Sequence, residues 1–447
     1  MIAREEPAGP CAPRQIEEMN MLSFVKEFNF VLAVVLTLAY SYQLVYLVLG
    51  LRRERDHTPE EPVRLHRYAA VIAARNESNV IGELIHCLKE QNYPARLLDI
   101  YVIADNCTDR TAGVARASGA FVYERFDKIQ VGKGYALDYF FRRLRSDGRD
   151  VYDGYFIFDA DNQVDPNFVA EMNRTFDRGG YDALTCYRNS KNFGDNWISA
   201  GYGLWFLREA RFLNRPRMRL GTNCHVSGTG FLVSAGLIRE NGGWPYHLLT
   251  EDIEFSVSAA LKGKRIGYCE KAVIYDEQPV SFKQSWDQRL RWSKGFFQVD
   301  VKYGLGLIRG CFRSKTPAAA FSCYDMLMTV APGMLLTLLG ILFNAIILTA
   351  CLGESTYIAK LVIDETAGFV CMGVVNFYMG LFLYGLLTTA AEWKHIHASS
   401  TQKILYLFTF PLFMFTYVPI SITALFKRVE WKPIYHGAGR RRLPSQS

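Results

Sequence analysis

Residues 155–162 read Tyr-Phe-Ile-Phe-Asp-Ala-Asp-Asn, an apolar run that ends in two acidic residues. Four consecutive apolar or aromatic residues are typical of a strand that is buried on both faces of a parallel sheet. The run ends in Asp159 and Asp161, and ligands of open α/β sheets bind at the carboxyl ends of strands. Two such carboxylates favour a bound cation, and their oxygens suit Mg²⁺ or Mn²⁺ on a diphosphate. The alternative is a strand end followed by a polar turn that binds nothing.

The composition favours a membrane-associated protein over a wholly soluble one. Of the 447 residues, 50% are hydrophobic and 14% are aromatic, and the apolar excess lies near residue 40 and after residue 319. The formal net charge is +7, but the basic residues flank the apolar runs and form no stripe, so nucleic acid is not an expected partner. The 10 cysteines include no CxxC pair, which predicts reduced thiols and no zinc site.

The hydropathy pattern divides the chain into six segments. They are a disordered N-terminus (1–25), a transmembrane helix (26–52), a cytosolic domain (60–292), interfacial helices (293–332), three transmembrane helices (333–427) and a polar basic tail (428–447). Basic residues directly after the first apolar run place the domain in the cytosol, so a multi-pass protein of the plasma membrane is expected. Three later crossings leave the basic tail outside, against the positive-inside tendency, and a fourth crossing would remove that conflict.

Strands and helices alternate between about residues 65 and 269, which predicts an α/β fold with a mostly parallel sheet covered on both faces. The first predicted strand runs into Asn76 and Glu77, and the second runs into Asp105. Together with Asp159 these side chains are expected to line one crevice. No G-x-G-x-x-G follows the first strand, which argues against a dinucleotide-binding oxidoreductase.

Lys133 lies between two glycines at the start of a predicted helix. Its position resembles that of a phosphate contact, although the full Walker pattern is absent. A solvated lysine on a loop is the alternative.

Two further motifs lie between residues 228 and 252. Gly228-Thr229-Gly230 precedes a predicted strand, and Thr250-Glu251-Asp252 adds an acidic cluster. The acids are also explained by a helix N-terminus with Thr250 as its cap, and both roles can hold together.

Gln288, Arg291 and Trp292 share one face of a predicted helix by their i, i+3, i+4 spacing. Arginine suits a diphosphate, and an indole face suits the flat apolar side of a pyranose ring. The alternative is an exposed amphipathic helix on the membrane surface.

In this order, the motifs resemble those of the membrane-embedded family 2 glycosyltransferases, such as cellulose, chitin, poly-N-acetylglucosamine and hyaluronan synthases. The resemblance covers roughly Tyr68 to Phe426, and Q-x-x-R-W at residues 288–292 is similar to the mark of the processive members. It implies a GT-A-like nucleotide-sugar domain embedded between transmembrane helices.

The resemblance also implies a role for each candidate residue. Those of the donor site bind a UDP-sugar: Asn76, Glu77, Asp105, Lys133, Asp159, Gln288 and Arg291. Those of the acceptor site contact the growing glycan: Gly228, Thr229, Glu251 and Trp292. Asp159 and Asp161 hold Mg²⁺ or Mn²⁺, and Asp252 is the general base.

The implied reaction is one inverting displacement, repeated to polymerise UDP-glucose or UDP-N-acetylglucosamine into a β-linked polysaccharide that leaves through the lipid bilayer. Two alternatives stay open. One is a non-processive enzyme that transfers a single sugar onto a lipid carrier, and the other is a non-catalytic membrane subunit or transporter. Secretion subunits that act as partners are not identified by the sequence.

Overall fold

A computed structural model describes residues 12–52, 63–330, 332–351 and 357–430. These residues form two compact units, one containing residues 12–43, 332–351 and 357–381, and a larger one containing the others. The predictions for residues 1–11 and 431–447 lie outside the described residues.

The larger unit is built on one eight-stranded sheet with the order β3-β2-β1-β4-β7-β6-β8-β5. The strands are β1 (Tyr68–Ala74), β2 (Leu98–Asp105), β3 (Phe121–Arg125), β4 (Gly154–Asp159), β5 (Gln163–Val164), β6 (Ala183–Ser190), β7 (Phe231–Ser234) and β8 (Ile266–Asp276). The first four are parallel, as predicted. Strand β7 runs antiparallel to both β4 and β6, so the whole sheet is mixed.

The reversal of β7 has a direct consequence for the region around β4. Ile157 pairs with Phe231 and Gly154 pairs with Ser234, so β7 begins beside the end of β4. The turn that precedes β7 therefore lies at the carboxyl end of β4, next to Asp159.

Helices account for most of the remaining described residues. They are α1 (Ala12–Tyr40), α2 (Tyr42–Leu51), α3 (Ile81–Lys89), α4 (Thr111–Ala117), α5 (Lys133–Ser146), α6 (Phe168–Gly179), α7 (Trp197–Glu209), α8 (Arg215–Leu220), α9 (Ala235–Glu240), α10 (Glu251–Leu261), α11 (Phe282–Arg313), α12 (Pro317–Val330), α13 (Pro332–Cys351), α14 (Tyr357–Ala391), α15 (Ser400–Phe415) and α16 (Tyr417–Phe426). A 3₁₀ turn (Ala95–Leu97) and a π-helical turn (Ala210–Asn214) complete the set.

The main core lies between the sheet and the helices on one of its faces. Helix α3 contributes Ile81 and Leu84, and β4 contributes Phe156 and Phe158, all with zero exposure. Full burial of each such side chain stabilises the fold by about 1.5–3 kcal/mol. The predicted buried strand is thus confirmed, and two of its four apolar residues belong to this core.

Three helices among the described residues are long and apolar enough to cross a membrane: Leu22–Leu51, Ala359–Ala391 and Ser400–Phe426. Pro317–Val330 and Leu335–Cys351 are apolar enough only when taken together, which adds a fourth candidate if the pair is one span. The first span predicted within residues 333–427 is thus helical, but it is long and apolar enough to cross a membrane only together with α12.

Two predicted boundaries differ from the structure. Residues 12–25, predicted to be disordered, are helical, because α1 begins at Ala12. The predicted border between domain and interfacial helices, after residue 292, falls inside α11. No proline interrupts Phe282–Arg313, so nothing breaks the helix at that point.

Helices α1 and α13 of the smaller unit are joined by a reciprocal amide pair. Asn29 Nδ2 donates to Asn344 Oδ1 at 3.0 Å, and Asn344 Nδ2 donates to Asn29 Oδ1 at 2.9 Å. Both side chains are buried. In apolar surroundings such a pair defines how the two helices align.

Close packing between α10 and α11 depends on Gly295. A Cβ at this position would lie 2.5 Å from Thr250 Oγ1. We expect Gly295→Ala to lower the free energy of unfolding by about 1–3 kcal/mol, because α11 must shift away from α10. The measurement is thermal unfolding in detergent micelles.

Gly306→Ala, on the same helix, is the matched control. Its Cβ would make an ordinary contact of 3.5 Å with Leu261, so no loss of stability is expected. Equal stability of the two variants would contradict the packing account.

Candidate active site

The carboxyl end of β4 and the turn before β7 form the centre of the candidate site. The N–H group of Asp159 donates to Thr229 Oγ1 at 2.8 Å. Lys133 Nζ, from the first residue of α5, donates to Asp159 Oδ1 at 2.5 Å and to the carbonyl oxygen of Gly228 at 2.7 Å. Lys133 is therefore part of the site and not a solvated loop residue.

Asp252 faces the same turn from the first turn of α10. Oδ2 of Asp252 lies 3.8 Å, and Oδ2 of Asp159 lies 3.9 Å, from the position that a Cβ would take at Gly228. Because each oxygen is within 4 Å of one point, the two are less than about 8 Å apart. Gly228 also has a φ of +79°, a conformation that favours glycine. The structure thus brings together residues from three distant parts of the chain.

Burial dominates the electrostatics of the acidic pair on α10. It raises the pKa of Glu251 to about 7, with the charge of Asp252 as the second cause, while Lys133 and Arg291 act in the opposite direction. Burial also raises the pKa of Asp252 above its ordinary value. A carboxylate with a raised pKa is a better proton acceptor at neutral pH than an ordinary one. Thr250 occupies the N-cap position, but its hydroxyl makes no capping hydrogen bond.

Asp161 lies behind Asp159 and is almost fully buried. Burial and the charges of Asp276 and Asp159 raise the pKa of Asp161 well above its ordinary value. Arg188 Nε donates to Asp276 Oδ2 at 3.0 Å, so Arg188 neutralises that neighbour. The sequence motifs did not indicate Arg188 or Asp276, because both come from strands far along the chain.

The donor set fits a divalent cation that is shared with a ligand. Among the described residues, no group of three or more His, Cys, Asp or Glu side chains could hold a metal ion. Mg²⁺, however, is usually bound through one or two carboxylates plus substrate phosphates. A cation bound by Asp159 and Asp161 would neutralise the negative charge that accumulates around Asp161.

Asn76, Glu77 and Asp105, which are predicted to bind the nucleotide, lie at the ends of β1 and β2 or just after them. Asn76 has a φ of +59°, and its Oδ1 accepts from Thr108 N at 2.8 Å. Burial, followed by the charge of Asp159, raises the pKa of Glu77 to about 8. Asp105 is buried and paired with Arg125, whose Nη1 lies 2.6 Å from Asp105 Oδ1. Sequence reasoning missed Arg125, although it ends β3 as Asp105 ends β2.

The three residues of the Q-x-x-R-W motif are half-buried, which corrects the alternative of an exposed surface helix. Trp292 packs edge-on against Tyr202 of α7, with ring centroids 5.7 Å apart. Gln288 Oε1 is buried and has no hydrogen-bond partner among the described residues. The charge of Arg291 acts on Glu251, so this face of α11 is turned toward the acidic pair.

Arg289, inside the same motif, has a structural role that the sequence did not reveal. It is fully buried, and its Nη1 donates to the Phe413 carbonyl at 3.0 Å and to Thr416 Oγ1 at 2.6 Å. Its guanidinium lies 4.2 Å from the Phe413 ring centroid. Arg289 therefore holds α11 against α15 and the start of α16.

The candidate Thr229 and its more distant neighbour Glu254 are mainly engaged within the protein. Thr229 is buried, and its hydroxyl accepts from Asp159 and bonds to Asn162. Glu254, the third acid after Thr250, is fully buried and accepts from His247 N at 2.9 Å and Lys302 Nζ at 2.6 Å. Both residues hold neighbouring segments in place.

Residues 66–295 match the model of glycosyltransferase like family 2. The chain belongs to this family.

A probable glycosyltransferase, YdaM of Bacillus subtilis, is 25% identical over 55% of this chain and 58% of its own length. Beta-monoglucosyldiacylglycerol synthase of Synechocystis is 23% identical over 82% of this chain and 74% of its own. Poly-beta-1,6-N-acetyl-D-glucosamine synthase of Staphylococcus aureus is 23% identical over 63% of this chain and 66% of its own length.

The fold of this chain is similar to that of a solved glycosyltransferase structure. Mannosyltransferase PcManGT from Pyrobaculum calidifontis, in complex with GDP-Man and Mn²⁺, superposes with a TM-score of 0.56 and 16% identity over 89% of this chain and 98% of that chain. The predicted GT-A-like fold is confirmed, and the predicted hexosyltransferase class is supported. The chain spans less than two thirds of the length of several curated relatives that it matches, including 58% of YdaM.

Lys133→Met tests the electrostatic arrangement. The cation lowers the pKa values of Glu251 and Asp252, so its removal raises both. Both carboxyl groups then lose their protons at a higher pH than in the wild type. We expect the acidic limb of the pH–rate profile of sugar transfer to move to higher pH, and the rate at pH 7 to fall on the order of 100-fold. Lys128→Met, on the neighbouring exposed loop, should leave the profile unchanged; an unchanged profile in Lys133→Met would refute this role.

Proposed function

We propose that this protein is a membrane-bound, divalent-metal-dependent hexosyltransferase that inverts the configuration of a UDP-hexose donor. The observation that carries the proposal is the convergence of Asp159 and Asp252 on Gly228, with Lys133 bonded to Asp159 and to the carbonyl oxygen of Gly228. A single displacement requires a cation-binding carboxylate and a base near the same sugar, and here the two side chains lie less than about 8 Å apart.

In the proposed mechanism, Asp159 and Asp161 would hold Mg²⁺ or Mn²⁺, which would supply positive charge for the diphosphate leaving group. Lys133, which bonds to Asp159, adds positive charge on the side of the donor where the cation would bind. Asp252 accepts the proton of the acceptor hydroxyl as that oxygen forms its bond to the anomeric carbon and the bond to UDP breaks. PcManGT, which shares the fold, was solved with Mn²⁺ and a nucleotide sugar, which supports the choice of cofactor.

The first candidate acceptor is a growing glycan, with glucose or N-acetylglucosamine as the repeated unit. The half-buried face of α11 supports it. In this proposal, Gln288 and Arg291 cover the diphosphate, and the indole of Trp292 supports the acceptor sugar. The similarity to poly-beta-1,6-N-acetyl-D-glucosamine synthase points in the same direction. Gly228, Thr229 and Glu251 border this acceptor position.

The second candidate acceptor is a membrane lipid. The match to beta-monoglucosyldiacylglycerol synthase covers 82% of this chain, well beyond the catalytic domain. The most apolar windows of Leu22–Leu51 and Ala359–Ala391 are only 11% and 6% buried, which suits contact with lipid. With either acceptor, glycan or lipid, we propose that the catalytic domain lies on the cytosolic side of a multi-pass membrane protein.

Asp252→Asn is expected to reduce transfer at least about 1,000-fold, because the base is lost while the carboxylates at the metal stay in place. UDP binding, measured separately by calorimetry, should remain within a few fold of the wild type. Glu240→Gln, on the exposed end of α9, is the control. Transfer that persists in Asp252→Asn would exclude Asp252 as the base.

Product length separates the two candidate acceptors. Full-length protein in lipid nanodiscs containing diacylglycerol is incubated with UDP-glucose or UDP-N-acetylglucosamine and Mn²⁺, and the products are resolved by mass spectrometry. A ladder of chains supports polymerisation, whereas a lipid carrying one hexose supports the second candidate. Products of neither kind from any UDP-hexose would contradict the proposed function.

A further inference from the structure

The turn before β7, residues 225–230, is bonded to a buried polar network that the proposed mechanism does not use. The hydroxyl of Ser227 donates to Glu209 Oε1 of α7. The same carboxylate oxygen lies 3.1 Å from His225 Nε2 and accepts a hydrogen bond from it. Glu209 and His225 are both buried. One buried carboxylate therefore holds the turn at two points.

The proton position on His225 follows from the other partner of its ring. Arg217 Nη1 lies 2.5 Å from His225 Nδ1. A guanidinium can only donate, so Nδ1 is the acceptor and carries no proton. The neutral ring then has its proton on Nε2, which donates to Glu209. His225 thus joins Arg217 to Glu209 through two directed hydrogen bonds.

The network continues to two helices of the apolar segments. Arg217 Nε donates to Asp325 Oδ2 of α12 at 2.6 Å, and the hydroxyl of Tyr46 on α2 donates to the same oxygen at 2.9 Å. Arg217, Asp325 and Tyr46 are all buried. Tyr46 also lies within the candidate membrane span Leu22–Leu51. A continuous set of buried bonds therefore connects α2 and α12 to the turn.

The same turn contacts the neighbourhoods of both acids of the proposed mechanism. The N–H group of Val226 donates to Ser256 Oγ at 2.9 Å, and that hydroxyl donates to the carbonyl oxygen of Asp252 at 2.9 Å. Further along the turn, Thr229 Oγ1 accepts from the N–H group of Asp159 at 2.8 Å. A shift of the turn would therefore change the spacing of the two acids.

A cavity lies between the turn and α7. Its lining includes Arg188, Glu209, Ser227 and Thr229. Because this space is not filled by side chains, close packing alone does not hold the turn in place. The polar contacts do so: Glu209 bonds to the Ser227 hydroxyl, and Arg188 Nη1 donates to the Ser227 carbonyl at 2.8 Å.

We propose that His225 is a positioning residue for sugar transfer, which fixes the turn through Glu209 and thereby sets the spacing of Asp159 and Asp252. The inference rests on the proposed function, in which these two acids act on one donor sugar. Misplacement of a reacting group by about 1 Å can lower a rate on the order of 100-fold. The bond between His225 and Glu209 is therefore expected to matter for turnover more than for nucleotide binding.

Two substitutions separate the two bonds of the His225 ring. In His225→Asn the amide oxygen replaces Nδ1 and can accept from Arg217, but the side chain does not reach Glu209. In His225→Gln the amide nitrogen replaces Nε2 and can donate to Glu209. We expect kcat for transfer from a UDP-hexose in nanodiscs to fall on the order of 10–100-fold in His225→Asn and to stay within about threefold of the wild type in His225→Gln. The Kd of UDP should change little in either variant.

His66→Asn is the matched control. His66 is also half-buried, and its Nε2 lies 2.9 Å from Asp177 Oδ1. It precedes β1, at the end of that strand away from the candidate site. Loss of this histidine–carboxylate contact should leave kcat unchanged, even if it lowers the temperature of unfolding.

Hydrogen exchange of the backbone amides of the turn gives a second measurement that needs neither donor nor acceptor. Exchange should be faster than in the wild type in His225→Asn, and unchanged in His225→Gln and His66→Asn. If His225→Asn fails to fold, as judged by thermal unfolding, Ser227→Ala replaces it. That variant removes the other bond between the turn and Glu209, so the same loss of kcat and the same faster exchange are expected.

Two results would overturn the inference. One is unchanged kcat and unchanged exchange in folded His225→Asn or Ser227→Ala, and the other is an equal loss of kcat in His225→Asn and His225→Gln. The proposed function fails separately, if the wild-type protein transfers sugar from no UDP-hexose. The exchange measurement uses no substrate, so it still decides whether His225 holds the turn.

Discussion

The structure of the candidate site depends on one cation among partly buried carboxylates. Lys133 Nζ bonds to Asp159 and to the Gly228 carbonyl, so the start of α5, the end of β4 and the turn before β7 are held at one point. Asp252 approaches this point from α10. Carboxylates that are gathered in a buried place repel each other, and their pKa values rise unless a positive charge is close. Lys133 supplies that charge in the protein alone, and a divalent cation is proposed to add to it when the donor binds.

The helices that follow the domain are coupled to this point by direct packing. Helix α11 passes Thr250 so closely that a Cβ at residue 295 would clash with it, and the charge of Arg291 on the same helix acts on Glu251. Arg289 fixes the same helix to the carbonyl of Phe413. The catalytic domain and the apolar segment Ser400–Phe426 are thus parts of one compact unit, which suits an enzyme whose acceptor is in or near the membrane.

Local pattern predicted much of the parallel half of the sheet. The apolar run before Asp159 is a buried strand, and polar residues follow the ends of β1 and β2 as expected. These features depend on near neighbours in the sequence and are therefore visible in it. The helical spacing of residues 288, 291 and 292 was also correct, since all three lie on α11.

Features that depend on distant contacts were not predictable. The antiparallel direction of β7 is set by pairing with β4, about 75 residues earlier in the chain. Arg125, Arg289 and Glu254 look like surface charges in the sequence, yet each is buried with partners from other segments. The helix over residues 12–25 was missed because its polar composition resembles that of a disordered terminus.

We propose that Asp159 and Asp252 face the same donor molecule. A cryo-electron microscopy structure of the full-length protein with UDP and Mn²⁺ tests this directly. We expect density for the cation and the diphosphate beside Asp159 and Asp161, with Asp252 on the far side of the space left for the sugar. Nucleotide density at another place, or an Asp252 side chain that points away from the diphosphate, would contradict it.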